Sequence, residues 1–365
     1  MTTRTYPAHP SELTPEWLTT QLRTAGVLGD GSVTGFTTTP VGEGIGMLGI
    51  LVRAALTYDR PAPDSPASII AKFATPIEGN RAVALHFKLY EREVRFYRAI
   101  APKVTARAPR CYGAEIDPIN GDCVVLLEDL SAYRTGDQVE GCSAAQAKEI
   151  IEAVAPLHAS FWGKVDDTDL DWVPHIDGDR QIEGMTGGCV AGWDPAIAQF
   201  GGVIAEEIKA AKDRFLPAVP ELHRMMGRRT QTLIHGDVRL DNLMFGTNSN
   251  QHPVVLLDWS MTVSSGLHDI AYLLSQNVTT AERRAHETAL LEHYRAQLAE
   301  QGVDYPMDKI WDDYRVAVLY LFTYAIVIAG TLDPSNERGS AFMRELMARA
   351  SATVVDHDLL TLLPA

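Results

Sequence analysis

Cysteine is scarce in this chain: Cys111, Cys123, Cys142 and Cys189 are the only four in 365 residues, and no two stand in a C-x-x-C spacing. That excludes a zinc ribbon and a disulfide scaffold, and fits reduced thiols in a cytoplasmic protein. Basic residues are short as well, 32 Lys and Arg against 47 Asp and Glu, for a formal net charge of −15. A surface that acidic repels phosphate backbones, so nucleic acid and anionic membrane are not expected as partners. Nothing indicates an obligate protein partner. A long hydrophobic run is also missing. The most apolar window, Val316 to Gly330, is broken by Thr323 and two tyrosines. It falls short of the roughly 20 residues that span a bilayer and predicts a buried core helix. The opening residues, MTTRTYPAHPSELTPEWL, carry no apolar stretch behind a basic one and do not read as a signal peptide. What remains is a soluble enzyme of about two domains, at roughly 150 residues each. Its acidity suits a neutral or cationic small molecule.

Patterning divides the chain near residue 130. Residues 10–30 predict a helix capped near Ser11, with Leu13, Trp17, Leu18, Leu22 and Val27 at loose helical spacing. Strands follow over 33–39, 50–58 and 68–73, then a helix over 81–101 and a strand over 123–127. That order describes a small α+β lobe, 1–130. The remainder, 131–365, is mostly helix-patterned. It includes an amphipathic helix over 143–162 and one over 205–226 that Pro217 and Pro220 are expected to interrupt. A β-rich island spans 233–258, and 163–202, rich in Asp, Gly and Trp, reads as an inserted loop region.

The most informative run is Leu233-Ile-His-Gly-Asp-Val-Arg-Leu-Asp-Asn-Leu-Met-Phe245. An apolar strand delivers His235, Gly236 and Asp237, and Asn242 follows five positions after that Asp. A second apolar strand, 254–257, ends in Asp258 and Trp259. Phosphoryl transfer from Mg–ATP needs a carboxylate to orient the attacking hydroxyl, and an amide and a carboxylate oxygen to hold the metal. Asp237, Asn242 and Asp258 supply those parts, at the offset of the kinase catalytic loop. Gly44, Gly46 and Gly49 match G-x-G-x-x-G. A dinucleotide-binding glycine run opens a helix, whereas this one enters a β-type stretch, as in loops that cover ATP phosphates. Lys72 interrupts the next strand, Ile69-Ile-Ala-Lys72-Phe, as a candidate phosphate ligand. Glu93 lies on a mostly apolar helical stripe and is its expected partner, whereas Glu91 has basic neighbours one turn away and reads as solvated. The strand end Glu128 to Leu130 is the candidate for backbone contacts to adenine. His158 reads as a core histidine, His235 as a loop brace, and Asp269 as a first-turn carboxylate steadying the Asp258 loop. Arg239 and Asp241 stand open between a local pair and a substrate contact.

These residues resemble the aminoglycoside phosphotransferase and choline kinase-like superfamily. His235-Gly-Asp237 with Asn242 is similar to its catalytic loop, and Leu257-Asp258-Trp-Ser260 to its metal-binding segment. Glu93-Val-Arg-Phe-Tyr97, Leu126-Leu-Glu-Asp-Leu130, Leu157-His-Ala-Ser-Phe-Trp162 and Leu13-Thr-Pro-Glu-Trp-Leu18 resemble its ecdysteroid kinase-like branch in particular. The resemblance spans about residues 10–350. It implies a bilobal protein-kinase-like α+β fold, with a small β-rich N-lobe and a larger, mostly helical C-lobe. It also implies ATP and Mg2+ as cofactors, and transfer of the γ-phosphate to a hydroxyl of a small-molecule acceptor. Asp237 carries over as catalytic base, Asn242 and Asp258 as metal ligands, Lys72 as phosphate ligand and Glu93 as its partner. No D-F-G or A-P-E follows the catalytic loop, which argues against protein substrates. The insert 163–202 is the expected acceptor-binding region. Its aromatics, with Phe161 and Trp162, suit a hydrophobic alcohol or sterol, while the acidic balance suits an aminoglycoside or choline-like cation. Two other classes compete: a nucleotide-binding pseudokinase or sensor, opposed by the intact Lys72, Asp237, Asn242 and Asp258, and a dinucleotide-dependent oxidoreductase, opposed by the strand after the glycines.

Overall fold

The computed structural model describes residues 4–42, 49–166, 170–332 and 337–364. Gly44 and Gly46 lie outside them. The chain separates into one compact unit of residues 1–103 and 108–133 and another of 104–107 and 134–365.

The first unit is built on an antiparallel sheet of β1 (Val33–Pro40), β2 (Gly49–Tyr58), β3 (Ser68–Ala74), β4 (Cys111–Ile116) and β5 (Cys123–Glu128), in the order β1-β2-β3-β5-β4. Period-two alternation sorts β3 between two faces. Ile69, Ala71 and Phe73 join a core completed by Leu18 and Leu22 of α1 (Pro15–Thr24), so Lys72 is left on the opposite face. Thr14, not Ser11, caps α1, its hydroxyl accepting from Trp17 N–H at 3.2 Å. Pro15 in the first turn explains the choice, since its missing N–H costs nothing there. Strand β4 was not foreseen because Gly113 weakens its pattern. A Cβ there would come within 2.4 Å of the Gln21 side-chain oxygen on α1, which would have to turn aside.

The expected helix over 81–101 is two helices, α2 (Glu78–His86) and α3 (Leu89–Arg95), continued by a wider turn over Phe96–Ile100. Lys88 breaks it with φ of 54°. The break re-aims α3, so that Tyr90 accepts from Thr75 N–H at 3.1 Å while Glu93 turns towards Lys72.

The second unit is mostly helical: α4 (Ala144–Phe161), α5 (Asp179–Phe200), α6 (Glu206–Ala210), α7 (Lys212–Gly227), α8 (Leu267–Tyr272), α9 (Thr280–Glu300), α10 (Met307–Thr331) and α11 (Glu337–Asp356). Two short sheets interrupt the helices. One pairs β7 (Thr232–Ile234) with β10 (Thr262–Ser264), and the other orders β6 (Arg134–Thr135), β8 (Leu243–Phe245) and β9 (Val254–Leu256) as β6-β8-β9.

Four expectations change here. Much of 163–202 is the 22-residue helix α5, not loop. Its glycines blur the periodicity but permit close packing, because a Cβ on Gly330 of α10 would fall 1.9 Å from Gly192 O. The aromatics assigned to the acceptor are largely core: Trp193 and Phe200 are buried, and Trp193, Phe215 and Phe322 stack with centroids 5.3 and 5.6 Å apart. Helix α7 runs through Pro217 and Pro220, which face outward, where water can take the carbonyls they leave unpaired. Helix α10 extends to 25 residues, beyond the apolar window, and is long and apolar enough to cross a membrane by length and composition alone. Its residues from Val316 to Thr323 are nonetheless buried around the whole circumference, as in a central core helix.

Candidate active site

In the first unit, Lys72 Nζ donates to Glu93 Oε1 at 2.9 Å. Both side chains are mostly covered, 16% and 10% exposed, so the ammonium is held in one place by a charge that is itself desolvated. Glu91 is not the partner. It pairs with Arg95 at 2.9 Å, and at 14% exposure it is less solvated than its basic neighbours suggested. At the end of β5, Glu128 N–H donates to Arg110 O and the Glu128 carboxylate accepts from Arg110 N–H at 3.0 Å. Asp129 accepts from Arg53 Nε at 2.7 Å and Ser68 Oγ at 2.6 Å. Burial alone would raise the Asp129 carboxyl, but these hydrogen bonds outweigh it and hold it low. Leu130 is buried and its carbonyl accepts from Tyr133 N–H.

In the second unit, β7 ends at Ile234 and Gly236, at φ 88°, turns the chain into the loop. Asp237 Oδ2 accepts from Asn242 Nδ2 at 2.8 Å and lies 3.3 Å from Arg239 Nε. The Tyr272 phenol is buried near Asp237, and burial followed by that carboxylate raises it far above its usual range. Because Asn242 spends its NH2 on Asp237, its amide oxygen faces away. Its main-chain carbonyl accepts from Leu257 N–H at 2.9 Å, tying the loop to the end of β9. Two positions further on, Asp258 is exposed and held at φ 56°, a left-handed conformation that costs about 1 kcal/mol or more in a residue with a Cβ. Trp259 anchors that turn: it is buried, its indole N–H donates to Leu256 O at 3.1 Å, and its ring lies 4.6 Å from that of His235.

His235 does brace the loop. Its Nε2–H donates to Leu257 O at 2.9 Å while Nδ1 accepts from Asp237 N–H at 3.2 Å, which fixes a neutral tautomer. Burial pushes its pKa down, against the pull of the Asp269 and Asp237 carboxylates. Asp269 is in the first turn of α8, but it steadies the 235–236 backbone and not the Asp258 loop. It accepts from His235 N–H at 2.8 Å and Gly236 N–H at 3.0 Å. His158 is a satisfied core residue, bonded to Tyr294 Oη at 2.9 Å and Asp269 Oδ2 at 3.1 Å. Arg239 and Asp241 do pair locally, at 3.7 Å, and Asp241 also meets Arg338 at 3.1 Å. Burial opposes the Arg239 charge, but Asp237, Asp258 and Asp241 outweigh it and raise its pKa further.

Sequence reasoning missed Tyr272 and Asn277 as supports. The Asn277 side chain accepts from Leu240 N–H at 2.9 Å and donates to Tyr272 O at 3.0 Å. Both follow the 235–242 loop by thirty residues or more, and no local pattern signals a contact that only tertiary folding creates.

The architecture is similar to three solved structures. One is an aminoglycoside phosphotransferase by assignment, from Ralstonia eutropha (TM-score 0.58, 18% identity, covering 96% of this chain and 99% of that one). Another is wild-type aminoglycoside 2'-phosphotransferase-IIIa in complex with GDP (0.53, 14%, 93% and 99%). The third is choline kinase from Cryptosporidium parvum (0.54, 11%, 90% and 92%). At these identities the likeness is one of fold, a bilobal protein-kinase-like α+β architecture. No curated protein matches the sequence. The ecdysteroid kinase-like family matches residues 43–304, a stretch that takes in Lys72, Glu93, the 235–242 loop and Asp258, and the chain belongs to that family.

Proposed function

We propose that this protein is a small-molecule kinase that transfers the γ-phosphate of Mg–ATP to a hydroxyl group. The observation that carries this reading is the state of Asp237: a partly exposed carboxylate, fixed by Asn242 and Arg239, on a backbone clamped from behind by the buried Asp269. A carboxylate so restrained can orient an acceptor hydroxyl and take its proton as the new P–O bond forms and the bond to ADP breaks. Lys72, held by Glu93, is the cation for the nucleotide phosphates. Glu128 to Leu130 remains the segment proposed for adenine. With the Glu128 N–H already given to Arg110, the Asp129 and Leu130 backbone groups carry that proposal.

The donor set suits magnesium. The amide oxygen of Asn242, left over when its NH2 bonds Asp237, and the exposed carboxylate of Asp258 are hard oxygen ligands. Among the described residues no cluster of three or more His, Cys, Asp or Glu could cage a metal alone. That fits an ion which arrives with the phosphates and keeps much of its coordination from them and from water. When bound, magnesium would neutralise charge on the transferring phosphoryl group.

The test is acceptor-dependent ADP release from Mg–ATP. The panel pools aminoglycosides, choline-type amines, sugars and hydroxylated steroids, and compares wild type with Asp237→Asn. At least one pool should stimulate the wild type. The variant should lose roughly 10²–10⁴-fold in rate while still binding Mg–ATP. Wild-type rates in Asp237→Asn would overturn the assignment, and silence across all pools with Mg–ATP bound would favour a sensor.

A further inference from the structure

Arg239 carries more donors than its neighbours use. Its main chain is fixed, with the N–H donating to Asp237 O at 2.8 Å and the carbonyl accepting from Asn242 N–H at 2.9 Å. The guanidinium is held far more loosely. Nε donates to Asp237 Oδ2 at 3.3 Å, and Nη1 stands 3.7 Å from Asp241 Oδ2, too far for a hydrogen bond. Among the described residues neither Nη makes one. Other arginine–carboxylate pairs in the chain close fully, at 2.7 Å for Arg53 with Asp129 and at 2.8 and 2.9 Å for the two-pronged grip of Arg284 on Asp356.

Asp241 does not complete the pair because it is engaged elsewhere. Its Oδ1 accepts from Gln138 N–H and from Arg338 Nη2, both at 3.1 Å, and its Oδ2 accepts from Arg338 Nη1 at 3.4 Å. The Arg239 side chain is 29% exposed, so a ligand can reach the unused donors. Asp237, Asp258 and Asp241 all favour its charge, and it stays a cation.

Whatever the acceptor, transfer leaves phosphorus bonded to the oxygen that Asp237 has oriented. The phosphoryl group therefore arrives beside a carboxylate, anion against anion. A cation is needed at that spot, and the one bonded to Asp237 among the described residues is Arg239. A guanidinium suits the place better than an ammonium, because its planar fork can keep one N–H on the carboxylate and give others to phosphoryl oxygens.

We propose that Arg239 is a second catalytic residue, its Nε staying on Asp237 while its Nη groups donate to the non-bridging oxygens of the transferring phosphoryl group. This rests on the kinase reading and deepens it. The acceptor oxygen bonds the γ-phosphorus, the bond from that phosphorus to the bridging oxygen breaks with its electrons leaving on ADP, and the acceptor proton passes to Asp237. Arg239 ends the step unchanged. Asp241, tied to Arg338, draws the guanidinium by charge without saturating its donors.

Wild type is compared with Arg239→Lys and Arg239→Gln, by calorimetry with magnesium and either ADP or the β,γ-imido analogue of ATP, and by turnover of Mg–ATP with the acceptor pool that stimulates the wild type. Arg239→Gln should lose about tenfold in affinity for the imido analogue and little for ADP. Its turnover should fall by about 10²-fold or more. Arg239→Lys should keep part of the affinity but not the rate. Melting transitions check both folds. In wild-type protein labelled with 15N at arginine, the Arg239 guanidinium should shift with the imido analogue and stay near its free position with ADP. If neither variant folds, those resonances decide alone. The proposal is overturned by an affinity loss that is absent or equal for the two nucleotides, by wild-type turnover in either folded variant, or by stationary resonances with the imido analogue bound. Failure of the kinase reading looks different. Guanidinium shifts and an affinity that depends on the γ-phosphate, without transfer to any acceptor, would keep the contact and refute the kinase. Transfer by wild type and by both variants alike would refute the contact and keep the kinase.

Discussion

Asp269→Asn should unsettle the 235–242 loop without touching Asp237 itself. The side chain is fully buried, and its two oxygens accept from His235 N–H, Gly236 N–H and His158 Nε2 at 2.8 to 3.1 Å. An asparagine must turn its NH2 towards one of those backbone donors, whichever way the amide lies. At least one buried N–H then loses its acceptor, at about 1–3 kcal/mol, and the remaining bonds lose their charge. The total should be about 3–5 kcal/mol, the usual cost of breaking a buried charged network. For a unit of this size that corresponds to a fall in melting temperature of roughly 6–20 °C. The dependence on pH follows from the carboxyl itself. Burial would raise it, but the hydrogen bond from His158 and the nearby His268 ring hold it well below the usual range. Its contribution is therefore complete above the unfolded value of about 3.9, and shrinks as pH falls below that. Thermal unfolding of both proteins between pH 3 and 8 measures the gap. A variant melting within about 2 °C of wild type at pH 7 would refute the reasoning.

Three further outcomes follow from other parts of the molecule. Gly330→Ala drives a methyl into the Gly192 backbone, with 1.9 Å to its carbonyl oxygen, and should cost about 3 kcal/mol or prevent folding; denaturant titration reads it. His223, lowered from 6.5 to about 4 by burial, stays neutral in the fold while the unfolded chain takes up a proton, so stability should fall by roughly 3 kcal/mol as pH drops through that window. His223→Gln should flatten that slope in urea titrations from pH 7 to 4. Glu93→Gln removes the charge that holds Lys72 and should lower kcat/KM for ATP by about tenfold or more, with a smaller change in melting temperature than Asp269→Asn.

The small lobe was legible where local physics acts alone. Alternation in Ile69-Ile-Ala-Lys72-Phe set Lys72 apart from the core, and the apolar stripe around Glu93 singled it out from Glu91. Glycine and proline misled, because their conformational preferences are local while their use here is tertiary. Gly192 and Gly330 permit a backbone contact that no periodicity encodes, and Pro217 and Pro220 sit where solvent offsets their missing donors. In the 235–242 loop the spacing of Asp237 and Asn242 was readable, and the structure joins them by two hydrogen bonds from the Asn242 amide, to the Asp237 carboxylate and to its main-chain carbonyl. The clamp from Asp269, the tie from Asn277 and the hydroxyl of Tyr272 were not readable as such, since each reaches the loop from α8 or the turn that follows it. The insert's tryptophan and phenylalanine suggested a pocket by composition, yet Trp193 and Phe200 went to the core, and it is Tyr272 of α8 that lies near Asp237 instead.

The most direct test of the central claim follows the phosphate itself. The protein is incubated with ATP carrying a radiolabelled γ-phosphate, magnesium and a mixed pool of hydroxylated small molecules, and the label is traced by chromatography. In the wild type it should appear in a small molecule other than inorganic phosphate, and in Asp237→Asn it should not. Label confined to ATP and inorganic phosphate, or label carried into a small molecule equally by both proteins, would contradict the account.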